Sequence, residues 1–299
     1  MARSEIIFDR WDHTQSTTWP FQVYKKYNEE LSNFIWANDP VHGYVISTLS
    51  SSGAEFTDSP LKYFKFSKPN HNFQDIKAWS SSNKQLNKWL LLNSIMALSS
   101  NFETYLSSVI SLSIESDPGI LLGASKSIDG TILLKKQPLS KQIYENKIES
   151  CTKGTWGTRL AGFRNLFGTA PQKMIDEIGS LDKIRNIRNN VGHAFGRDIK
   201  EAHNFVVNKI RPMETIGLDR VIKYLKITYD VAKSIDSYLL NNHIGEFQTI
   251  LAYHDLYQRL DKNIHITNRA NSFKKHYGPI DSLVGKKFCK GLACYYESI

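Results

Sequence analysis

The chain has 299 residues, of which 41% are hydrophobic and 22% are charged, with only 17 Gly and 9 Pro. This composition excludes general disorder and fibrous repeats, and the length is sufficient for one large domain or two smaller ones. Lys and Arg outnumber Asp and Glu by 38 to 29, which gives a formal net charge of +9. Such a charge either serves solubility alone or indicates a phosphate-rich partner such as a nucleic acid.

The cysteines and the N-terminal residues bear on the compartment. Three scattered cysteines (Cys151, Cys289 and Cys294) cannot form a disulfide framework, and their odd number is typical of a reducing environment. The first residues lack the apolar core of a signal peptide, and no apolar stretch approaches the ~20 residues that span a bilayer. We therefore expect a soluble, cytoplasmic protein without a membrane partner. The spacing of His and Cys predicts no metal site.

Residues 1–82 are expected to form a small extension of mixed α/β structure. Apolar side chains recur with helical spacing over residues 21–35 and predict a helix that ends near Pro40. The segments 44–49 and 61–66 are short and rich in β-branched or aromatic residues, which favours two strands joined by a loop.

Residues 83–243 are predicted to form a helical bundle, so the fold class is mainly α. Long helices with apolar faces bury those faces against one another, most simply in an up-and-down bundle. A short strand is predicted at 131–134, and residues 244–299 form a basic C-terminal extension. The predicted helices cover 83–117, 139–150, 156–167, 171–191 and 216–241.

The residues that point to chemistry lie in the segment 181–198. Arg188, Asn189 and His193 form the pattern RNxxxH, which combines a permanent cation, a carboxamide and the side chain that titrates near neutral pH. At 100° per residue, Arg185, Asn189 and His193 share one helical face, whereas Arg188 lies about 140° from His193. A regular helix therefore cannot easily direct both at one atom.

Two arrangements would bring Arg188 and His193 to one reacting atom. Two copies of the helix can face each other across a dimer axis, so that each chain supplies one member of the pair. Alternatively, Gly192 ends the helix and His193 turns back towards Arg188 of its own chain. A purely structural explanation is that both residues are cations that stabilise a helix C-terminus.

These residue types suit cleavage of the phosphodiester bond in RNA. The 2′-hydroxyl must lose a proton while the leaving 5′-oxygen gains one, and a histidine can serve as general base or acid. A guanidinium donates two parallel hydrogen bonds to the non-bridging oxygens of the phosphorane formed on attack. Asn189 could hold the imidazole tautomer or contact the ribose. The scheme needs neither a metal nor another cofactor.

The segment resembles the RNxxxH signature of HEPN domains, over residues 83–243. The resemblance implies a bundle of four or five helices, usually dimeric, that cuts RNA without a metal. It implies Arg188 and His193 as the catalytic pair and Asn189 as the polar residue that follows the arginine.

The resemblance also suggests supporting residues and a biological role. Glu103 lies where many members carry a polar or acidic residue near the site, and Arg185 and Asn190 flank the motif. HEPN nucleases often act as toxins or as anti-phage or stress effectors, and an antitoxin or another regulatory protein restrains them. We therefore expect RNA, a second copy of the chain and such a regulator as partners.

Two other functions stay open at this point. The chain could be a non-catalytic HEPN-like module that binds RNA or a protein, or a helical scaffold without a nucleic-acid role. Lys274, Lys275, Lys286 and Lys287 stand among aromatic residues near the C-terminus. They could follow an RNA backbone or simply form a solvated basic tail.

Overall fold

The computed structural model describes residues 7–68, 73–199, 212–261, 263–278 and 284–299. The structure is mainly helical, with 73% helix and, within these ranges, eleven α-helices and no strand. The expectation of a mainly α helical bundle is confirmed. The mixed α/β extension expected at 1–82 is not supported, because its described part contains helices and turns but no strand. No described helix is long and apolar enough to cross a membrane.

Most of the described helices are joined by short connections. A π-helical turn (Leu240–Ile244) follows the eighth helix directly. In chain order the helices are α1 (Trp19–Ser51), α2 (Ile76–Ser116), α3 (Gly130–Lys136), α4 (Lys141–Thr152), α5 (Trp156–Phe167), α6 (Gln172–Asp176), α7 (Ile178–Ala194), α8 (Leu218–Leu239), α9 (Phe247–Tyr257), α10 (Ile266–Tyr277) and α11 (Lys286–Ser298).

Helix α1 continues through Pro40, so the predicted strand at 44–49 is wrong. The buried side chains Ile35 and Leu49 are 14 residues apart and lie within about 40° of each other on a helix. One buried stripe therefore extends across the proline. Thr48 fits the helix because its hydroxyl donates to the Tyr44 carbonyl at 2.8 Å. A short apolar run rich in β-branched residues does not distinguish a strand from a helix segment.

The other two predicted strands are also wrong. Segment 61–66 begins in a 3₁₀ turn, and Asp58 accepts a hydrogen bond from the Tyr63 hydroxyl at 2.7 Å, which closes the chain locally. Segment 131–134 lies inside α3, because the Asp129 side chain caps that helix by accepting from the Thr131 amide at 2.9 Å. In both places a local side-chain hydrogen bond outweighs the β propensity of the residues.

Most predicted helices are confirmed. Helix α5 has the predicted bounds, with Thr155 as its N-cap and Gly168 after its last residue, and α8 starts two residues later and ends two residues earlier than the predicted 216–241. Helix α2 ends one residue before the predicted 117 but starts seven residues earlier than 83, and α4 is displaced by two residues. The single helix predicted at 171–191 is divided at Glu177 into α6 and α7.

The C-terminal residues form a packed core and not a loose tail. Helices α10 and α11 lie side by side, and their interface with α9 buries aromatic and aliphatic side chains. Arg269 near the start of α10 donates to both carboxylate oxygens of Glu297 near the end of α11, at 2.9 and 2.7 Å. The two helices are therefore antiparallel. The core includes Tyr253, Phe273, Tyr277, Phe288, Leu292 and Tyr296.

A buried polar cluster joins the end of α2 to the π-helical turn. His243 Nδ1 lies 3.0 Å from Asp117 Oδ2, and the Ser125 hydroxyl donates to the same oxygen at 2.6 Å. The Lys126 amide donates to the other oxygen of Asp117 at 2.7 Å. Burial opposes ionisation of this carboxyl, but the hydrogen bonds outweigh burial and lower the pKa of Asp117 below its ordinary value.

The chain folds into two compact units, each made of separate stretches. One unit comprises the chain up to Tyr24, Phe102–Gly179 and Tyr229–Ile299, and the other comprises Lys25–Asn101 and Ser180–Thr228. The three consecutive ranges expected from the sequence (1–82, 83–243 and 244–299) stay a prediction. Their first boundary lies inside α2 and their second inside the π-helical turn.

Candidate functional site

Helix α7 carries the RNxxxH pattern and continues through His193. The predicted helix end at Gly192 is wrong, because regular helix extends to Ala194. The buried residues of this helix share one side of it, and Arg188 projects to that side and is half-buried. His193 projects to the opposite side and is exposed. The buried residues are Leu181, Ile184, Val191 and Ala194.

The chain turns sharply just after the motif. Phe195 and Gly196 have φ angles of 51° and 76°, and the Gly196 amide donates to the Asn190 carbonyl at 2.9 Å. This hydrogen bond joins residues six apart, one more than in a Schellman helix end, and Phe195 is a left-handed residue without being a glycine. The Phe195 ring lies 6.3 Å from the Trp89 ring, a contact that helps to hold the turn.

The turn fixes a second segment against the end of α7. The Glu214 amide donates to the Gly196 carbonyl at 2.7 Å, and the Asn190 side chain donates to the Glu214 carboxylate at 2.8 Å. Asn190, expected as a supporting residue, therefore holds a carboxylate that reaches the motif helix from 24 residues further along the chain. The motif gives no sign of this contact.

Arg188 and Asn189 are joined to each other. Arg188 Nη1 donates to Asn189 Oδ1 at 3.1 Å. Asn189 thus orients the guanidinium, and the contact with His193 that the sequence suggested is not formed. Within the described part of the chain, the His193 ring makes no hydrogen bond that would fix its tautomer. His193 is thus exposed to solvent on one side of α7, and Arg188, held by Asn189, lies on another side.

Two of the expected supporting residues have carboxylate or guanidinium partners of their own. Arg185 Nε donates to Asp182 at 3.0 Å, one turn earlier on α7. Glu103 belongs to the other compact unit, where it accepts from Arg159 at 2.8 Å. Arg159 is 5% exposed, so this pair stabilises the junction of α2 and α5 within that unit.

The four C-terminal lysines lie at one end of the α10–α11 pair. Lys274 and Lys275 are in the last turn of α10, and Lys286 and Lys287 are in the first turn of α11. Because these helices are antiparallel, all four are at the same end. Three are exposed and Lys274 is half-buried, so this basic end presents positive charge to solvent.

An open pocket of about 280 Å³, which was not predicted from the sequence, lies beside α7. It lies within the unit that holds the motif, between α7, the segment 214–216 and the first turns of α8. Lys183, Asn186 and Asn190 of α7 line it. These three residues and His193 follow one another at intervals of three, four and three residues, which places all four on one face of the helix. This polar stripe is visible in the sequence.

Comparisons with known proteins do not extend the resemblance. No protein-family model matches the chain, and neither the curated proteins nor the solved structures contain a match to it. The candidate site is therefore described from this structure alone. It comprises the exposed His193, Arg188 with its hydrogen bond to Asn189, and the polar pocket beside α7.

Proposed function

We propose that the chain is an endoribonuclease of the HEPN type that cleaves RNA without a metal. The observation that carries the proposal is the RNxxxH pattern on one unbroken helix, with His193 exposed and Arg188 held by Asn189. An exposed imidazole can exchange protons with a bound substrate, and a guanidinium whose orientation is fixed loses less freedom on binding phosphate.

Each member of the pair has a distinct role in the proposed reaction. His193 takes the proton of the 2′-hydroxyl, the 2′-oxygen attacks phosphorus, and the bond to the 5′-oxygen breaks as that oxygen takes a proton from the solvent that reaches this exposed site. Arg188 donates hydrogen bonds to the non-bridging oxygens while their negative charge increases. The products are a 2′,3′-cyclic phosphate and a 5′-hydroxyl end.

The geometry of α7 favours a site shared between two chains. Arg188 and His193 are about 140° apart on a helix that is regular through both residues, so one chain directs them to different sides. A symmetric homodimer, with the α7 helices facing each other, would place the arginine of one chain beside the histidine of the other. The HEPN resemblance likewise implies a dimer.

The basic end of the α10–α11 pair, which belongs to the other compact unit, is a candidate RNA-binding surface in its own right. Lys275, Lys286 and Lys287 are exposed there, and phosphate contacts of this kind bind RNA regardless of its sequence. The biological role that fits such an activity is that of a toxin or an anti-phage or stress effector in the cytoplasm, held inactive by an antitoxin or another regulatory protein.

One observation favours a second candidate, a non-catalytic HEPN-like module that binds RNA or a protein. No described residue donates to or accepts from the His193 ring, whereas a general base is usually oriented by a hydrogen bond to its second nitrogen. In that case the basic end of the α10–α11 pair would bind the RNA or the protein, and the RNxxxH motif would have no chemical role.

The test compares cleavage of RNA by the purified wild type and by His193→Ala in the presence of EDTA. We expect the wild type to release 5′-hydroxyl fragments and the variant to lose activity by roughly 10²–10⁴-fold, the usual contribution of a general acid or base. His42→Ala, at a half-buried helical histidine of the same unit, is the control and should keep full activity. Equal cleavage by a well-folded His193→Ala chain would refute the proposal.

A further inference from the structure

The pocket beside α7 combines an apolar floor with polar and charged side chains. Leu92 and Ile216 are buried beneath it, and the Glu214 carboxylate stands at its wall, held by Asn190. Lys183 and Arg220 are exposed cations at its edge. At about 280 Å³ it is slightly smaller than the ~300–1,000 Å³ of drug-sized sites, so it has room for one nucleic-acid base.

The pocket and His193 lie on the same part of the helix surface. Lys183, Asn186, Asn190 and His193 fall within about 80° of one another around α7, whereas Arg188 lies outside this stripe. Asn190 precedes His193 by three residues, or about 4.5 Å along the helix axis. A nucleotide held in the pocket would therefore place its sugar-phosphate close to the imidazole.

We propose that this pocket binds the base next to the cleaved bond and selects guanine. The assignment rests on the proposed nuclease function. Ile187, which lines the pocket and is only half-buried, offers an apolar surface to the flat face of a base, and RNA-binding proteins commonly read the edges of such unstacked bases. Lys183 and Arg220 provide positive charge for the 5′-phosphate of that nucleotide, on the far side from the cleaved bond, because Lys183 lies about 15 Å from His193 along the helix axis.

Guanine is the base whose donors match the Glu214 carboxylate. A carboxylate accepts hydrogen bonds at two oxygens, and guanine presents two adjacent donors, N1–H and the N2 amino group. Adenine, cytosine and uracil each offer a single donor group on the corresponding edge. Asn190 fixes the carboxylate by a hydrogen bond of 2.8 Å to one oxygen, which still has a second lone pair.

The test measures binding of the four 5′-nucleoside monophosphates to the full chain by calorimetry. We expect GMP to bind about tenfold more tightly than AMP, CMP and UMP, since hydrogen bonds to a charged group are the stronger ones. Glu214→Gln should remove this difference, because glutamine meets the two donors with one acceptor and one donor. Arg220→Gln should weaken all four nucleotides alike. Glu29→Gln, at an exposed site of the same unit, is the control.

Two results would overturn the assignment: equal binding of all four nucleotides, or a guanine preference that survives in Glu214→Gln. Because binding is measured without turnover, this test separates the two proposals. Guanine-selective binding by a chain that cleaves no RNA would refute the nuclease, and with it the place of the base next to a cleaved bond, but not the selection of guanine by the pocket. Cleavage without any guanine preference in binding would refute the pocket assignment alone.

Discussion

At the scale of single residues, the two glycines on either side of His193 differ in whether the fold needs a glycine there. Gly192 lies inside α7, and a Cβ added there would meet no atom within 4 Å. Gly196 has a φ of +76°, and a Cβ there would come within 2.7 Å of Met213 Cγ and 3.1 Å of Leu92 Cδ1. Gly196 is therefore required by the turn, whereas Gly192 only weakens the helix.

Replacement of each glycine by alanine tests where the motif helix ends. Gly192→Ala should raise the free energy of unfolding by ~0.5–1 kcal/mol, the usual gain inside a helix. Gly196→Ala should lower it by ~1–2 kcal/mol, because alanine is strained in the left-handed region. Urea denaturation of both variants measures the two changes. Destabilisation by Gly192→Ala would show that the helix does not continue through His193.

The sequence predicted the motif residues but not their contacts. It identified Arg188, Asn189 and His193, because their chemistry depends on residue type and spacing. It suggested Asn189 as a partner of His193, whereas Asn189 accepts from Arg188. Which neighbour a carboxamide contacts depends on rotamers, and spacing along a helix does not determine rotamers.

At the scale of elements, clear capping and periodicity made helices predictable. Helix α5 lies between the capping Thr155 and Gly168 and has the predicted bounds, and α8, which has a regular apolar stripe, is within two residues of them at each end. Segments 44–49 and 131–134 are rich in β-branched residues, which led to the wrong prediction of strands. Such residues occur in strands and in buried helix segments alike, and tertiary packing determines which of the two forms. The break at Glu177 has no clear signal in the sequence.

Asp117 and His243 link two elements, and their pair makes stability depend on pH. The pKa of Asp117 is lower in the folded than in the unfolded chain, so its ionised form stabilises the fold. This contribution is complete above the ordinary pKa of an aspartate, about 4, and is lost as the pH falls through the lowered value.

Asp117→Asn removes that contribution and leaves a buried donor unsatisfied. We expect a loss of ~1–3 kcal/mol in unfolding free energy at pH 7, which becomes smaller below about pH 4. Thermal melts of both chains between pH 3 and pH 7 measure this, with Asp255→Asn, at an exposed aspartate, as the control. A difference that stays constant over this range would show that Asp117 is not stabilising as a carboxylate.

At the scale of the whole molecule, the sequence could not predict how the chain is divided. Each compact unit is built from stretches far apart in sequence, and helices α1, α2 and α8 contribute residues to both units. Composition and periodicity report on local structure, and they carry no information on which distant segments meet. The pocket beside α7 could not be predicted for the same reason, because Glu214 and Ile216, which line it, lie more than 20 residues after the motif in the sequence.

The central claim is that one RNA-cleaving site combines Arg188 of one chain with His193 of another. In a dimer of Arg188→Ala with His193→Ala chains, one site lacks both residues and the other is complete. Each single variant should be inactive by itself.

Mixing the two inactive variants tests this claim most directly, with RNA cleavage in EDTA as the readout and subunit exchange verified independently. We predict that the mixed dimers recover up to half the activity of the wild-type dimer, because one of their two sites is intact. No recovery, in spite of complete subunit exchange, would contradict a site shared between two chains.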